Sequence, residues 1–175
     1  MKFKGSKTEK NLYKIFSNKA RNYTRYILFS EKARIEGYRW VQNEFEMLAN
    51  NELAHAREAY GAYLNLLGRT LDNIEEGVFI EASEKKKFYE NFEEEAKEEG
   101  FNDIIPFFYG LAQISDNHIS RLKFLNDRLR NEDYLSKSKG ERWMCMNCGY
   151  IYENISGSVI CPVCKYSRNH YKPCE

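Results

Sequence analysis

The sequence predicts a mainly α protein, a four-helix bundle followed by a small metal-binding domain. Residues 9–131 contain a single proline and are rich in Glu, Lys, Ala, Leu, Tyr and Phe. Their apolar positions recur about every 3.6 residues, which is typical of helices. All five cysteines lie between positions 145 and 174, and four of them form two CxxC pairs. The chain therefore consists of a helical region and a short tail with metal-type cysteine spacing.

Glycines divide the helical region into segments. Breaks at Gly37, around 68–77 and at Gly100 separate four predicted helices, at 9–36, 39–67, 78–99 and 103–131. Residues 68–77 are predicted to form a long crossover between two helical hairpins. Pro106 fits the first turn of the fourth helix, where its missing N–H costs little.

The two predicted hairpins repeat one another. Glu36-Gly37-Tyr38 begins a segment that reaches His55, and Glu99-Gly100-Phe101, 63 positions later, begins one that reaches His118. This repeat predicts a pseudo-twofold bundle with both imidazoles near its axis. Chance similarity between helix-rich segments is the alternative.

Carboxylates and imidazoles occur at helical spacing in these segments. Glu52-x-x-His55 and Glu81-x-x-Glu84 each place two side chains one turn apart on one helix face. Together with His118 they match the inward Glu and Glu-x-x-His sets of carboxylate-bridged metal sites, which suit iron or manganese. Each motif alone also fits a solvated helix face, the histidines also fit a packed core, and Glu81 and Glu84 could instead pair with a lysine.

The tail supplies four thiolates for one metal ion. They belong to Cys145, Cys148, Cys161 and Cys164. Gly149 lets the backbone N–H groups turn toward the sulfurs. Spacing alone leaves zinc and iron open, because tetrahedral thiolate ligation suits both metals. A domain this small needs its metal to fold. Cys174 is interpreted as an incidental exposed thiol.

Composition excludes several classes of function. The net charge of +1 offers no electrostatic basis for binding nucleic acid. No apolar run approaches the length of a membrane span, and the first residues lack a signal-peptide core. Metal-type cysteine pairs, rather than a disulfide framework, indicate a reducing compartment. We therefore expect a soluble cytoplasmic protein.

Several stretches have the form of family signatures. They are Asn11-Leu12-Tyr13-Lys14, Tyr26, Glu36-Gly37-Tyr38, Ala49-Asn50-Asn51-Glu52, Glu98-Glu99-Gly100-Phe101, Trp143-x-Cys145-x-Asn147-Cys148-Gly149-Tyr150 and Cys161-Pro162-Val163-Cys164. With them the chain resembles the rubrerythrin family over nearly its whole length. The resemblance implies a ferritin-like four-helix bundle at 1–135, a linker at 136–141 and a rubredoxin-like domain at 142–175. It also favours iron at the four cysteines.

The resemblance implies an activity and assigns residues to it. In the family, an iron pair in the bundle reduces hydrogen peroxide to water in oxidative-stress defence, and the rubredoxin-like iron supplies the electrons. The chemistry would be carried by Glu52, His55, Glu81, Glu84 and His118. Tyr26 and Tyr89 stand where family tyrosines hydrogen-bond the ligand shell.

Two positions depart from the family's ligand set. Lys19 stands where the first helix should offer a glutamate, and Ser115 where the fourth helix should offer a bridging one. Asp116 is no replacement, because one residue along a helix rotates the side chain by about 100°. The Lys19 ammonium is expected near the missing iron, paired with Glu84 or Glu52.

Charge balance then limits the bundle's metal content. Three carboxylates and one ammonium balance a single divalent ion, which Glu52, Glu81 and His118 would hold. Two divalent ions would leave an unfavourable buried positive charge. The sequence therefore predicts zero or one further divalent metal in the bundle rather than a di-iron centre.

Three functions stay open at this point. The first is a rubrerythrin-like peroxidase, and the second is a non-catalytic electron-transfer or regulatory protein that keeps only the four-cysteine iron. The third is a structural helical protein with zinc in its tail. The resemblance further implies a homodimer in which the rubredoxin-like domain contacts the other subunit's bundle, and it allows for an electron-donor protein.

Overall fold

The computed structural model describes residues 3–130, 142–153 and 160–174. The chain divides into two compact units, Met1–Gly68 and Arg69–Glu175. The predicted linker at 136–141 lies outside the described residues.

The first unit is a helical hairpin. Helix α1 spans Lys7–Ile35 and helix α2 spans Arg39–Arg57, after which the chain continues as a π-helical turn at Glu58–Tyr63. Ser6 caps α1, since its hydroxyl accepts a hydrogen bond from Glu9 N at 3.1 Å. The two helices pack through small side chains, of which the buried ones are Ser30, Ala33, Ala49 and Ala56. Small residues at the contact let the two backbones approach closely.

The helical part of the second unit is also a hairpin. Its helices are α3 (Thr70–Glu84), α4 (Glu90–Glu99) and α5 (Ile105–Arg130), with a π-helical turn at Lys85–Tyr89 that joins α3 to α4. Gly100 ends α4 in the left-handed conformation, with φ at 82°, and Phe101 N donates to Ala96 O at 2.9 Å. Pro106 lies in the first turn of α5, as predicted.

The predicted crossover at 68–77 is wrong, because α3 begins at Thr70. A capping box starts the helix, in which Arg69 N donates to Asp72 Oδ2 at 3.1 Å. Gly77 lies inside α3, and a Cβ there would approach Leu122 Cδ1 to 3.1 Å. This glycine therefore lets α3 lie close to α5 and does not end the helix.

The tail forms a three-stranded antiparallel sheet in the order β2-β1-β3. Its strands are β1 (Arg142–Cys145), β2 (Ile151–Glu153) and β3 (Tyr171–Pro173). Trp143 pairs with Tyr152, and Cys145 pairs with Tyr171. Trp143, Cys145, Cys161 and Tyr171 form the buried core of this tail.

The predicted fold class is confirmed, with long helices followed by a small β domain at the four cysteines. In the described part of the chain, none of the helices combines the length and the apolar character needed to cross a bilayer.

Candidate metal centres

The first cysteine knuckle is a tight turn closed by backbone hydrogen bonds. Cys145 N donates to Tyr150 O at 2.8 Å, and Gly149 N donates back to Cys145 O at 2.8 Å. Gly149 has a φ of 78°, in the left-handed region where glycine carries no Cβ penalty. The turn holds the side chains of Cys145 and Cys148 on one side.

The second knuckle repeats this backbone pattern. Cys161 N donates to Tyr166 O, and Lys165 N donates to Cys161 O, each at 2.9 Å. Lys165 occupies the position equivalent to Gly149 and has a φ of 62°. A residue with a Cβ is strained in this left-handed conformation.

The four sulfurs have the spacing of a tetrahedral site. All lie within 4.8 Å of one another. The Cys145–Cys164 and Cys148–Cys161 sulfur pairs are each 3.6 Å apart. A tetrahedron with metal–sulfur bonds of about 2.3 Å has edges of about 3.8 Å, so the four cysteines fit one metal ion. They form a rubredoxin-like metal site.

The sulfurs differ in their exposure and in their pKa. Cys145 and Cys161 are buried, Cys164 is half-buried and Cys148 is exposed. Burial acts to raise the pKa of Cys161, but the hydrogen bond from the Cys164 backbone N–H, followed by the influence of the nearby Tyr171 hydroxyl, lowers it to about 6. The Tyr150 backbone N–H acts to lower the pKa of Cys148, but burial and the neighbouring thiols outweigh it and raise that pKa.

Side-chain donors reach the second knuckle from elsewhere in the tail. The Asn147 side chain, followed by the Tyr166 backbone N–H, lowers the pKa of Cys164. Sequence reasoning missed Asn147 and Tyr171 as neighbours of the sulfurs. A signal for Asn147 was present, because an amide inside a CxxC turn is an obvious donor. No spacing rule could place Tyr171, whose position depends on the pairing of β3 with β1.

The predicted bundle residues fall into two groups, one in each unit. In the first unit, Lys19 Nζ lies 2.9 Å from Glu52 Oε1, so of the two partners predicted for Lys19 the contact with Glu52 is present. Asn22 Nδ2 donates to Glu52 Oε2 at 3.2 Å, and His55 Nδ1 lies 3.7 Å from Glu52 Oε1. The Lys19 hydrogen bond is the largest cause of a lowered pKa at Glu52, whose side chain is 14% exposed.

Other predicted residues of the first unit make different contacts. The Tyr26 ring stacks on Phe45 with centroids 6.1 Å apart, and it meets Phe29 edge-on at 6.2 Å. Asn22, which sequence reasoning did not select, binds Glu52 because it lies three residues after Lys19 on the same helix face.

In the second unit Glu81 is the hub of a hydrogen-bonded group. Ser115 Oγ donates to Glu81 Oε2 at 2.7 Å, and His118 Nδ1 lies 2.9 Å from Glu81 Oε1. Ser115 is 2% exposed, and its hydrogen bond is the largest cause of a lowered pKa at Glu81. Both oxygens of this carboxylate are thus engaged, as are those of Glu52.

Glu84 and Asp116 have separate partners. Tyr89 Oη donates to Glu84 Oε2 at 3.1 Å across the π-helical turn, whose geometry brings residues five apart onto one face. Burial, and then the hydrogen bond to Glu84, raise the pKa of Tyr89. Lys85 Nζ donates to both Asp116 oxygens at 2.8 and 2.7 Å. Asp116 is exposed and bonds Lys85, whereas Ser115 is buried and bonds Glu81.

Comparison with known proteins places this chain in a family. The family model for the rubrerythrin rubredoxin-like domain matches residues 143–172. Rubrerythrin of Clostridium perfringens is 31% identical, and the match covers 97% of this chain and 95% of the relative. Rubrerythrin of Porphyromonas gingivalis is 29% identical, with 97% and 91% covered.

A solved structure of nigerythrin in its partially reduced state is 21% identical, with a TM-score of 0.37 and 99% and 89% of the two chains covered. The assignment rests on the sequence relatives, which match along almost the whole chain and not only at the cysteines. The chain therefore belongs to the rubrerythrin family.

Proposed function

We propose that this protein is an electron-transfer protein of the rubrerythrin type whose four cysteines hold one iron. The observation that carries the proposal is the cluster of four sulfurs within 4.8 Å, one of which, Cys148, is exposed. Iron held by four thiolates supplies a one-electron couple, whereas zinc in the same ligands supplies none. Membership of the rubrerythrin family favours iron.

The side chains around Cys148 support an electron-transfer role. Met146, Tyr150 and Val163, which lie in or next to the two cysteine knuckles, are apolar or aromatic and exposed. An apolar surface around an accessible ligand lets a redox partner approach the metal without displacing tightly held water. Cys145 and Cys161, by contrast, are buried in the core of the tail and are not accessible to a partner.

A metal assay combined with a visible spectrum tests the proposal. Protein purified without oxygen should contain one iron per chain in the tail and should turn red on oxidation. Cys148→Ser should weaken that absorption, whereas Cys174→Ser, outside the cluster, should leave it unchanged. Colourless folded protein with one zinc per chain would refute the proposal.

The helical units favour electron transfer over conventional di-iron chemistry. Lys19 places an ammonium on Glu52 in the first unit, and Ser115 places a neutral hydroxyl on Glu81 in the second. Both are hydrogen-bond donors at positions where the family's ligand set requires carboxylates. These residues do not fit a conventional di-iron centre. They support zero or one divalent ion in the helical units.

Peroxide reduction is the second candidate function. It is favoured by the Glu84–Tyr89 hydrogen bond and by the contact of Glu81 with His118, since these are residues that the family uses. Mixing reduced protein with hydrogen peroxide under anaerobic conditions separates the two candidates. If the helical units reduce peroxide, Glu81→Gln should slow reoxidation of the tail iron at least tenfold. If the protein only transfers electrons, the variant and the parent should react alike.

We also propose a homodimer in which the tail of one subunit meets the helices of the other, as the family resemblance implies. Analytical ultracentrifugation of the full chain tests the dimer. Comparison with a chain truncated before Arg142 tests whether the tail contributes to it.

A further inference from the structure

Tyr171 is the largest fully buried side chain of the tail. It opens β3, directly opposite Cys145 on β1, and it is 0% exposed. Its ring packs in the core with Trp143 and Cys161, and it meets Tyr152 edge-on with centroids 5.7 Å apart. A phenylalanine could satisfy all of these ring contacts, so packing accounts for the ring and leaves the hydroxyl unexplained.

The Tyr171 hydroxyl is buried without a conventional partner. Among the described residues, its oxygen has no hydrogen-bond partner. Burying an unpaired hydroxyl is unfavourable, and native structures rarely do so without a reason. Burial is the main cause of the raised pKa of Tyr171, and the Cys161 sulfur is the second. Because Tyr171 and Cys161 pack in the same buried core cluster, the hydroxyl lies near a sulfur of the metal site.

The state of that sulfur decides how well it can accept a hydrogen bond. A neutral thiol is a weak acceptor, whereas a sulfur bound to a metal ion is a deprotonated thiolate with negative charge. Hydrogen bonds to charged acceptors are shorter and stronger than those to neutral ones. A metal ion at the four cysteines would thus create the acceptor that the Tyr171 hydroxyl lacks.

We propose that Tyr171 is a positioning residue of the four-cysteine site, with its hydroxyl donating a hydrogen bond to the metal-bound Cys161 sulfur. Reduction of an iron–tetrathiolate unit adds one negative charge. A donor to sulfur therefore stabilises the reduced form more than the oxidised form and raises the reduction potential. Only this redox consequence rests on the proposed function. The hydrogen bond itself does not, because any metal ion bound by the four cysteines would make the Cys161 sulfur a charged acceptor.

The first experiment compares two Tyr→Phe variants of the full chain. Tyr171→Phe removes the buried hydroxyl and keeps the ring. Tyr166→Phe removes a hydroxyl from an exposed ring of the same domain. In iron-loaded protein, Tyr171→Phe should lower the ferrous-to-ferric ratio at a fixed solution potential about three- to tenfold, where tenfold corresponds to about 59 mV for one electron. Tyr166→Phe should leave the ratio within about 1.5-fold of the parent.

The second experiment detects the hydrogen bond without redox chemistry. The parent protein is loaded with a spin-active cadmium isotope in place of iron, and NMR is used to look for scalar coupling between the metal and the Tyr171 hydroxyl proton. We expect this coupling in the parent and in Tyr166→Phe. Because the parent itself is observed, the test holds even if Tyr171→Phe folds poorly.

The two experiments have distinct consequences. A parent protein without the cadmium coupling overturns the proposal. If the coupling is present but Tyr171→Phe leaves the ferrous-to-ferric ratio unchanged, the redox part of the proposal is wrong. If the coupling is present in a protein that natively carries zinc, the hydrogen bond stands and the proposed electron-transfer function fails.

Discussion

The Lys19 ammonium lies 2.9 Å from Glu52 Oε1, although 33 positions separate the two residues in the chain. Helices α1 and α2 bring them together, and Asn22 binds the other oxygen of the same carboxylate. A fixed positive charge thus lies on a carboxylate that the family resemblance assigns to metal binding. A serine at a ligand position removes a metal-binding oxygen. A lysine at such a position does the same, and its ammonium would also compete with a metal ion for the remaining carboxylate.

Restoring both carboxylates should restore metal binding. Replacing Lys19 and Ser115 together with glutamate adds two anionic ligands and removes the competing ammonium. We expect the iron content of anaerobically loaded protein to rise by one to two ions per chain, measured by elemental analysis. Lys14→Glu with Ser120→Glu, both at exposed positions of the same helices, makes the same charge change and should add none. A parent that already holds three irons would contradict the prediction.

Ser115→Ala should destabilise the second unit. The substitution removes the 2.7 Å hydrogen bond from a buried hydroxyl to the Glu81 carboxylate. Hydrogen bonds to charged groups contribute about 1.5–3 kcal/mol, and we expect the lower end because Glu81 is partly exposed. Urea unfolding followed by circular dichroism measures the loss.

Ser120→Ala is the matched control for that experiment. Ser120 lies on the same helix, is exposed and donates to the Asp116 backbone oxygen at 2.8 Å. Its replacement should change stability by less than about 0.5 kcal/mol. Equal losses in the two variants would mean that the Glu81 hydrogen bond contributes nothing specific.

Removing the metal should unfold the tail and leave the helices intact. Trp143 is 2% exposed, whereas Trp40 is 78% exposed, so Trp40→Phe leaves one buried tryptophan as a reporter of the tail. Because the core of so small a domain depends on its metal, chelation should shift Trp143 emission to longer wavelength. Far-UV circular dichroism should keep most of its helical signal, and added iron should reverse the shift. An unchanged emission spectrum after verified metal loss would contradict the prediction that the tail unfolds without its metal.

Lys165→Gly should strengthen the metal site. Lys165 adopts a φ of 62°, which costs a residue with a Cβ about 1–2 kcal/mol. The flexibility of glycine in the unfolded chain offsets part of the gain, so we expect a net stabilisation of about 0.5–1 kcal/mol. The measurement is the rate at which a chelator removes the metal, which should fall severalfold.

Lys172→Gly tests whether that gain is specific to the left-handed position. Lys172 is exposed and lies in β3, where glycine weakens the strand by roughly 0.5–1 kcal/mol. The same substitution should therefore speed metal release here. If both variants release metal more slowly, relief of backbone strain is not the cause.

The sequence indicated the metal site of the tail more reliably than the contacts within the helices. Cysteine spacing specifies a tetrahedral site because each CxxC turn has one compact geometry, and both turns are present as expected. Glycine is harder to interpret. Gly37 and Gly100 end helices, but Gly77 serves the close packing of α3 on α5, and its sequence context does not distinguish these roles.

Side-chain partners depended on details that no spacing rule contains. The π-helical turn at Lys85–Tyr89 shifts the face of α4, which follows it, and the turn at Glu58–Tyr63 extends α2 with a different period, so a period of about 3.6 fails at both places. Tyr89 reaches Glu84 only because of such a turn. Similarly, Tyr171 lies in the cysteine core through strand pairing with Cys145, which is a contact between distant parts of the tail.

The uneven exposure of the four sulfurs would limit how a redox metal held by them exchanges electrons. With Cys145 and Cys161 enclosed, the metal site opens to its surroundings along the edge marked by Cys148. An electron donor and an electron acceptor would then have to bind at the same small surface around Cys148, and they could not bind there at the same time. In each turnover the donor would have to dissociate before the acceptor binds. A tightly bound donor would therefore inhibit electron transfer.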